Sequence, residues 1–258
     1  MPVSLSEIAS YSDELLDTRN TPDYANALNG VQIDHRGPVR AIAAAVDFST
    51  AAIQGAIANH ANLLIVHHGM FWSGLERLEK APLRRVRMLL DNDIAVYSSH
   101  LPLDRHPTFG NNVLLAAEFG LSPSRPFANH YGVFIGVAGD ADIETASLAE
   151  RVRKFSRAYG GDLRVSRMRN GRRTRRWGIC SGAGASADIL NEALSAGVDT
   201  LIVGEGAHWT AVVAEENDLA ILYAGHYATE TVGVRALSGH LSEKFGLPWS
   251  FVSAPTGL

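Results

Sequence analysis

The chain has 258 residues, 46% of them hydrophobic and 19% charged, with a formal net charge of −4. That length supports one large or two modest globular domains, and the acidic balance excludes a general electrostatic grip on nucleic acid, which needs an excess of Lys and Arg on one face. The longest apolar runs, such as 63–66, fall far short of the roughly 20 residues that span a bilayer, and the first residues lack a basic-then-apolar secretory pattern, so a cytoplasmic protein with no membrane partner is expected.

Residues 6–16 have apolar side chains at helical spacing, with Ser4 or Ser6 available as the cap, and predict a first helix. After the turn-rich stretch from Pro22 to Gly30, the pattern alternates. A buried strand is predicted at 41–46, a helix at 49–59, a strand at 63–66, a helix at 83–92 and a strand at 94–98. Successive βαβ units of this kind imply a largely parallel sheet covered by helices.

Beyond Pro123 and Pro126 a strand is predicted at 131–137 and a helix at 143–159. Segments 163–168 and 177–180 flank Asn170-Gly171, a dipeptide suited to a tight hairpin turn. Arg167, Arg169, Arg172, Arg173, Arg175 and Arg176 crowd that turn. They suit either a solvated tip or a contact to a phosphate-bearing ligand or partner subunit. Then the first pattern returns: helix 186–196, strand 200–203, helix 209–217, strand 220–223 and a closing helix at 231–245. Cys180 is the only cysteine, which excludes an internal disulfide or a thiolate metal cluster and fits a small buried apolar role.

The return is a repeat at the level of residues. Laid without a gap over 200–209 (TLIVGEGAHW), segment 63–72 (LLIVHHGMFW) matches Leu64 with Leu201, Ile65 with Ile202, Val66 with Val203, Gly69 with Gly206 and Trp72 with Trp209. The same offset lays helix 49–59 over 186–196. A slightly different one brings 97–100 over 223–226, and His100 and His226 are each followed four residues later by an acid, Asp104 and Glu230. The expected architecture is α/β: two similar halves, 1–125 and 126–258, with largely parallel sheets and a dinuclear metal site between them. The closing helix is free to pack back on the first half.

Polar clusters follow the apolar strands: His67-His68, His100 with Asp104, Glu205, and His226 with Glu230. Ligands of open parallel sheets bind beyond the carboxyl ends of the strands, so these residues are expected on one rim. Imidazole and carboxylate together suit zinc, manganese or iron. Neighbouring strand residues point to opposite faces, so His67 and His68 serve one site only if the strand has ended, as Gly69 suggests. His226 and Glu230 share a face if a helix has begun by then. His67, His68, Asp104, His226 and Glu230 exceed what one open catalytic ion takes from protein. They fit two divalent ions per chain, sharing a bridging group and generating a hydroxide at neutral pH.

The segments Val66-His67-His68-Gly69, Ser99-His100-Leu101-Pro102-Leu103-Asp104, Gly110-Asn111-Asn112 and Gly225-His226-Tyr227-Ala228-Thr229-Glu230, with Asn29-Gly30-Val31-Gln32, resemble those of the NGG-interacting-factor-three-like family, also known as GTP cyclohydrolase one type two. The resemblance runs over nearly the whole chain. It implies a two-metal centre with the same five ligands, a toroidal homohexamer with sites facing an internal cavity, and a place beside the metals for His100, as a proton-transfer group or as a hydrogen-bonded structural histidine. One departure is Val203-Gly204-Glu205, where the family commonly has Thr-Gly-acid. Two functions follow as expectations, since fold and metals do not fix a substrate. The first is a metal-dependent hydrolase acting on a small molecule such as a nucleotide or related heterocycle, with His100 as the catalytic candidate. The second is a non-catalytic metal-binding assembly or regulatory factor. Nucleic acid is not expected as a partner.

Overall fold

A computed structural model describes residues 2–257. The chain divides into two compact units, one comprising the residues up to Leu103 with Gly233–Ala254, the other Asp104–Val232 with the segment from Pro255.

In the first unit Val3–Ser4 (β1) leads into the helix Leu5–Leu15, whose N-terminus is capped by Ser4 Oγ accepting from the Glu7 N–H at 3.2 Å. Gly30–Ile33 (β2), Pro38–Val39 (β3), Ile42–Asp47 (β4), Leu63–His68 (β5) and Ala95–Ser98 (β6) follow. β4, β5 and β6 are adjacent and parallel, joined by crossover helices Thr50–Ala58 and Lys80–Asp91. β2 lies antiparallel to β6 at one edge. Leu64, Val66, Val96, Ile53 and Leu89 form the core between sheet and helices. The run Leu63 to Val66 is buried throughout, as a central parallel strand covered on both faces requires.

The second unit contains Arg125–His130 (β7), Val133–Glu144 (β8), Arg164–Val165 (β9), Arg173–Cys180 (β10), Thr200–Val203 (β11) and Ala220–Tyr223 (β12), in the spatial order β7-β8-β10-β11-β12-β9. β10, β11 and β12 are parallel, with helices Ala187–Ser195 and His208–Glu216 as crossovers. Phe119, Leu148, Val152, Phe155 and Trp177 pack one core of this unit. Trp249–Phe251 (β13) completes the first unit's sheet, parallel to β4. Each unit thus holds a strand-helix-strand-helix-strand run with three neighbouring parallel strands. Among the described residues no helix is long and apolar enough to cross a membrane.

Three sequence expectations are corrected. The sheets are mixed rather than largely parallel, because β2 and β9 add antiparallel at the edges and the antiparallel pair β7–β8 borders β10, itself antiparallel to β8. The predicted strand 131–137 begins in fact with a turn: Tyr131 and Gly132 have φ of 49° and 89°, and fold β7 back on β8. The arginine-rich segment turns at Asn170-Gly171, but it is no β-hairpin. β9 pairs with β12 and β10 with β8 and β11, so the flanking strands are not partners.

Five of the six arginines are ion-paired within their own unit. Arg167 pairs with Glu215, Arg169 and Arg172 with Asp218, Arg173 with Asp142 and Arg176 with Asp140. Arg172 is the structural member. Its side chain is 5% exposed, and besides the Asp218 carboxylate it donates to the main-chain carbonyls of Asp199 and Asp218. Arg172→Ala strands those acceptors and is expected to cost about 2 to 4 kcal/mol in urea unfolding. Arg175→Ala, on the exposed surface, is expected to fall within about 0.5 kcal/mol of the parent.

Candidate metal centre

In the first unit β5 runs through His68 rather than ending at Val66, so both histidines are strand residues and Gly69 follows them. Their rings nevertheless converge, with centroids 4.8 Å apart. The reason is the tether on each: His67 Nδ1 lies 2.9 Å from the Ser99 carbonyl, just beyond β6, and His68 Nδ1 lies 2.8 Å from the Asp47 carboxylate at the end of β4. The third ring is His100, with its centroid 4.9 Å from that of His67. All three imidazoles are buried, and they offer ligand atoms within 4.8 Å of one another.

His100 is anchored by residues that sequence reasoning missed or left without a role. Its Nδ1 lies 2.8 Å from Asp23 Oδ1, and its main-chain N–H donates to Asn29 Oδ1 at 2.7 Å. Asn29 Nδ2 and the Leu101 N–H both donate to Asp23 Oδ2. Burial pushes the Asp23 carboxyl up, but His100 and these donors outweigh it and hold it below the ordinary aspartate value. Asp47 could have been found, since it is an acid at the end of the buried run AIAAAVD. Asp23, in an irregular stretch, carried no such signal.

The helix His226–Phe245, whose first residues belong to the second unit, begins at the histidine itself, five residues before the predicted closing helix, and so places His226 and Glu230 one turn apart. His226 Nε2 lies 3.2 Å from Glu230 Oε2, and its Nδ1 lies 2.7 Å from Glu205 Oε1. The loop of the departure Val203-Gly204-Glu205 therefore orients the histidine. Gly204 is required there, since a Cβ would stand 2.8 Å from His226 Cα. Asp104 is buried, and its Oδ1 accepts from Asn111 Nδ2 at 2.8 Å and from Ser181 Oγ at 3.3 Å. Asn112 Oδ1 accepts from the Ser181 N–H at 2.7 Å, which gives both asparagines of the Gly110-Asn111-Asn112 segment a role. Cys180 is buried beside these acids; burial first, then Asp104 and Glu230, pushes its thiol well up, so it is no thiolate ligand.

The donor set fits a metal. His67, His68 and His226 each engage Nδ1 with a carbonyl or carboxylate, the arrangement that fixes an imidazole's tautomer and presents Nε2 to an ion, and the Asp23 contact leaves Nε2 of His100 open in the same way. Without metal, burial would lower the His226 pKa, but Glu230 and Glu205 hold it up at about 9. The sign follows. In the metal-free protein the stabilisation from this imidazolium is full below about pH 6.5 and fades as pH rises through about 9. An ion binding at Nε2 must displace the proton, so apparent zinc affinity is expected to rise by up to tenfold per unit between about pH 6 and 8. Competition titration against a chelator checks this; a flat profile would mean that His226 does not ligate.

The profile of the Duf34/NIF3 (NGG1p interacting factor 3) family matches residues 3–256. A Pyrococcus horikoshii protein named GTP cyclohydrolase 1 type 2 homolog is 39% identical, with 98% of each chain covered. A protein of the same name from Deinococcus radiodurans is 36% identical over 99% of this chain and 95% of its own. Among solved structures, protein ybgI, described as of unknown function, superposes with a TM-score of 0.89 at 30% identity, covering 99% of this chain and 100% of its own. A protein from Thermus thermophilus gives 0.82 at 32%, with the same coverage. With a full-length profile match and relatives above 30% identity over nearly their whole length, the chain belongs to the DUF34/NIF3 family.

Proposed function

We propose that the protein is a dinuclear metal-dependent hydrolase acting on a nucleotide or related heterocycle, with two divalent ions held by His67, His68, Asp104, His226 and Glu230. The observation that carries this reading is the Nδ1 tether on every histidine of the set, which a metal-ligand imidazole needs and an incidental one does not. The name shared by the relatives, GTP cyclohydrolase 1 type 2 homolog, supports a nucleotide substrate. Bound ions in such a set supply Lewis acidity and a water-derived nucleophile at neutral pH.

The chain's own residues do the rest. His100 takes up a proton at Nε2, and Asp23, ionised and bonded to Nδ1, holds the ring in that tautomer and stabilises the imidazolium. Asn111 and Ser181 fix the Asp104 carboxylate. Segments 63–72 and 200–209 support two units built from one repeated α/β motif, and the family resemblance supports a homohexamer. The family description as an interacting factor favours a second reading, a non-catalytic metal-binding assembly factor. The Asp23–His100 pair favours the enzyme, since a structural site needs no oriented base.

Protein purified without chelator is expected to carry close to two ions per chain by elemental analysis. Reconstituted with zinc, manganese or iron, it is expected to turn over a member of a nucleotide panel, and Glu230→Ala to lower both metal content and turnover. A content that stays at one or below after metal addition removes the two-ion reading. Full occupancy with no turnover across the panel selects the assembly factor.

A further inference from the structure

Two aromatic side chains beside the first unit's histidines remain substantially open to solvent. Trp72 is 37% exposed and Tyr24 51%, whereas His67, His68 and His100 are buried. The Trp72 indole lies 4.5 Å from the His68 ring and 4.6 Å from the His100 ring, centroid to centroid. Tyr24 is 5.7 Å from His100 and meets Trp72 nearly perpendicularly, at 80° and 6.1 Å. Exposed aromatics scattered singly need no explanation. These two are in contact, and their backbones are pinned together.

The pin is Gln32. Its Oε1 accepts from the Met70 N–H at 2.6 Å, and its Nε2 donates to the carbonyls of Ala27 and Leu28, both at 3.0 Å. The turn carrying Trp72 and the turn carrying Tyr24 are thereby joined through one carboxamide. Gly69 leaves the room for it: a Cβ at that position would stand 2.3 Å from Gln32 Nε2. The result is a corner of two nearly perpendicular rings, set against the imidazoles on one side and partly open to water on the other. Such exposed ring area gains little in folding. It is suited to stacking flat π-systems, which adds roughly tenfold to a hundredfold in affinity per base and tolerates different bases.

We propose that Trp72 and Tyr24 form a stacking corner that selects planar heterocycles and holds them beside His68 and His100, with Gln32 as the positioning residue. This deepens the hydrolase reading and rests on it for the substrate class. The test is equilibrium dialysis of the full-length zinc-loaded protein against guanosine, GTP, ribose 5-phosphate and tripolyphosphate. Guanosine and GTP are expected to bind, with Trp72→Ala weakening both about tenfold or more and Trp72→Phe retaining most of the affinity. Tripolyphosphate binding and zinc content are expected to be unchanged in both variants, which separates lost stacking from lost folding. Guanosine binding that is equal in the parent, Trp72→Ala and Tyr24→Ala overturns the corner while leaving the hydrolase reading intact. So does a parent that binds tripolyphosphate and ribose 5-phosphate but not guanosine. If no probe binds the parent, the corner is likewise overturned, and the turnover panel decides the hydrolase reading separately.

Discussion

Asp23→Asn is expected to lower turnover by about 100-fold to 10,000-fold with metal content unchanged. The carboxylate has two jobs that an amide cannot do. It accepts from His100 Nδ1 at 2.8 Å, which leaves the Nε2 lone pair available, and its negative charge stabilises the imidazolium formed when Nε2 takes a proton. An amide can present its NH₂ group to Nδ1, which moves the ring proton to Nε2 and leaves no base there; comparable losses attend wrong-tautomer substitutions in other histidine-dependent enzymes. Most of the geometry should survive, because Asn29 and the Leu101 N–H would still find an oxygen at that position and only the Tyr24 N–H, which donates to Asp23 Oδ1 at 2.7 Å, would lose its acceptor. Turnover across pH and elemental analysis are measured on the same preparation. A parallel loss of metal would identify His100 as a ligand rather than a proton carrier, and unchanged turnover would remove it from the chemistry.

How much of this site is legible in the sequence depends on how local its causes are. The strands β5, β11 and β12 are readable because LLIV, TLIV and AILY are short buried runs bounded by helical patterns, and their bounds fall within two residues of expectation. The five proposed ligands stand out in the sequence because His67 and His68 close an apolar strand and Asp104, His226 and Glu230 lie in the helices that follow β6 and β12. Asp47 reaches His68 only through the β4–β5 register, in which the two residues are partners. That pairing joins positions distant in sequence. Asn170-Gly171 shows the converse: the turn forms as its dipeptide dictates, but long-range sheet order sends its flanking strands to other partners. Tyr131-Gly132 failed as a turn signal because tyrosine seldom adopts positive φ. Gln32 belonged to a recognised motif, but its role emerges only when the turns at 24–28 and 69–72 are seen side by side.

Gly182→Ala is expected to strip metal from the second unit without removing a single ligand. Gly182 follows β10 with φ of +59°, where an L side chain already costs about 1 kcal/mol. The larger effect is steric. An added Cβ would stand 2.2 Å from Glu230 Oε1 and 3.2 Å from His226 Nε2, inside the space these groups need to meet an ion. Relief is limited on both sides. Glu230 is buried, and the Gly182 backbone is held by its N–H donating to Thr229 Oγ1 at 3.0 Å and by its carbonyl accepting from the Glu205 N–H at 2.8 Å. The carboxylate must therefore leave its position against His226, and zinc affinity should fall by at least the roughly 10-fold to 100-fold that displaced supporting groups cost elsewhere. Chelator competition and thermal melting with and without zinc measure it, and the melting shift conferred by zinc should shrink in proportion to the lost affinity. Parent-like affinity in Gly182→Ala would mean that Glu230 finds an equivalent position, and its place in the ligand set would then have to be withdrawn.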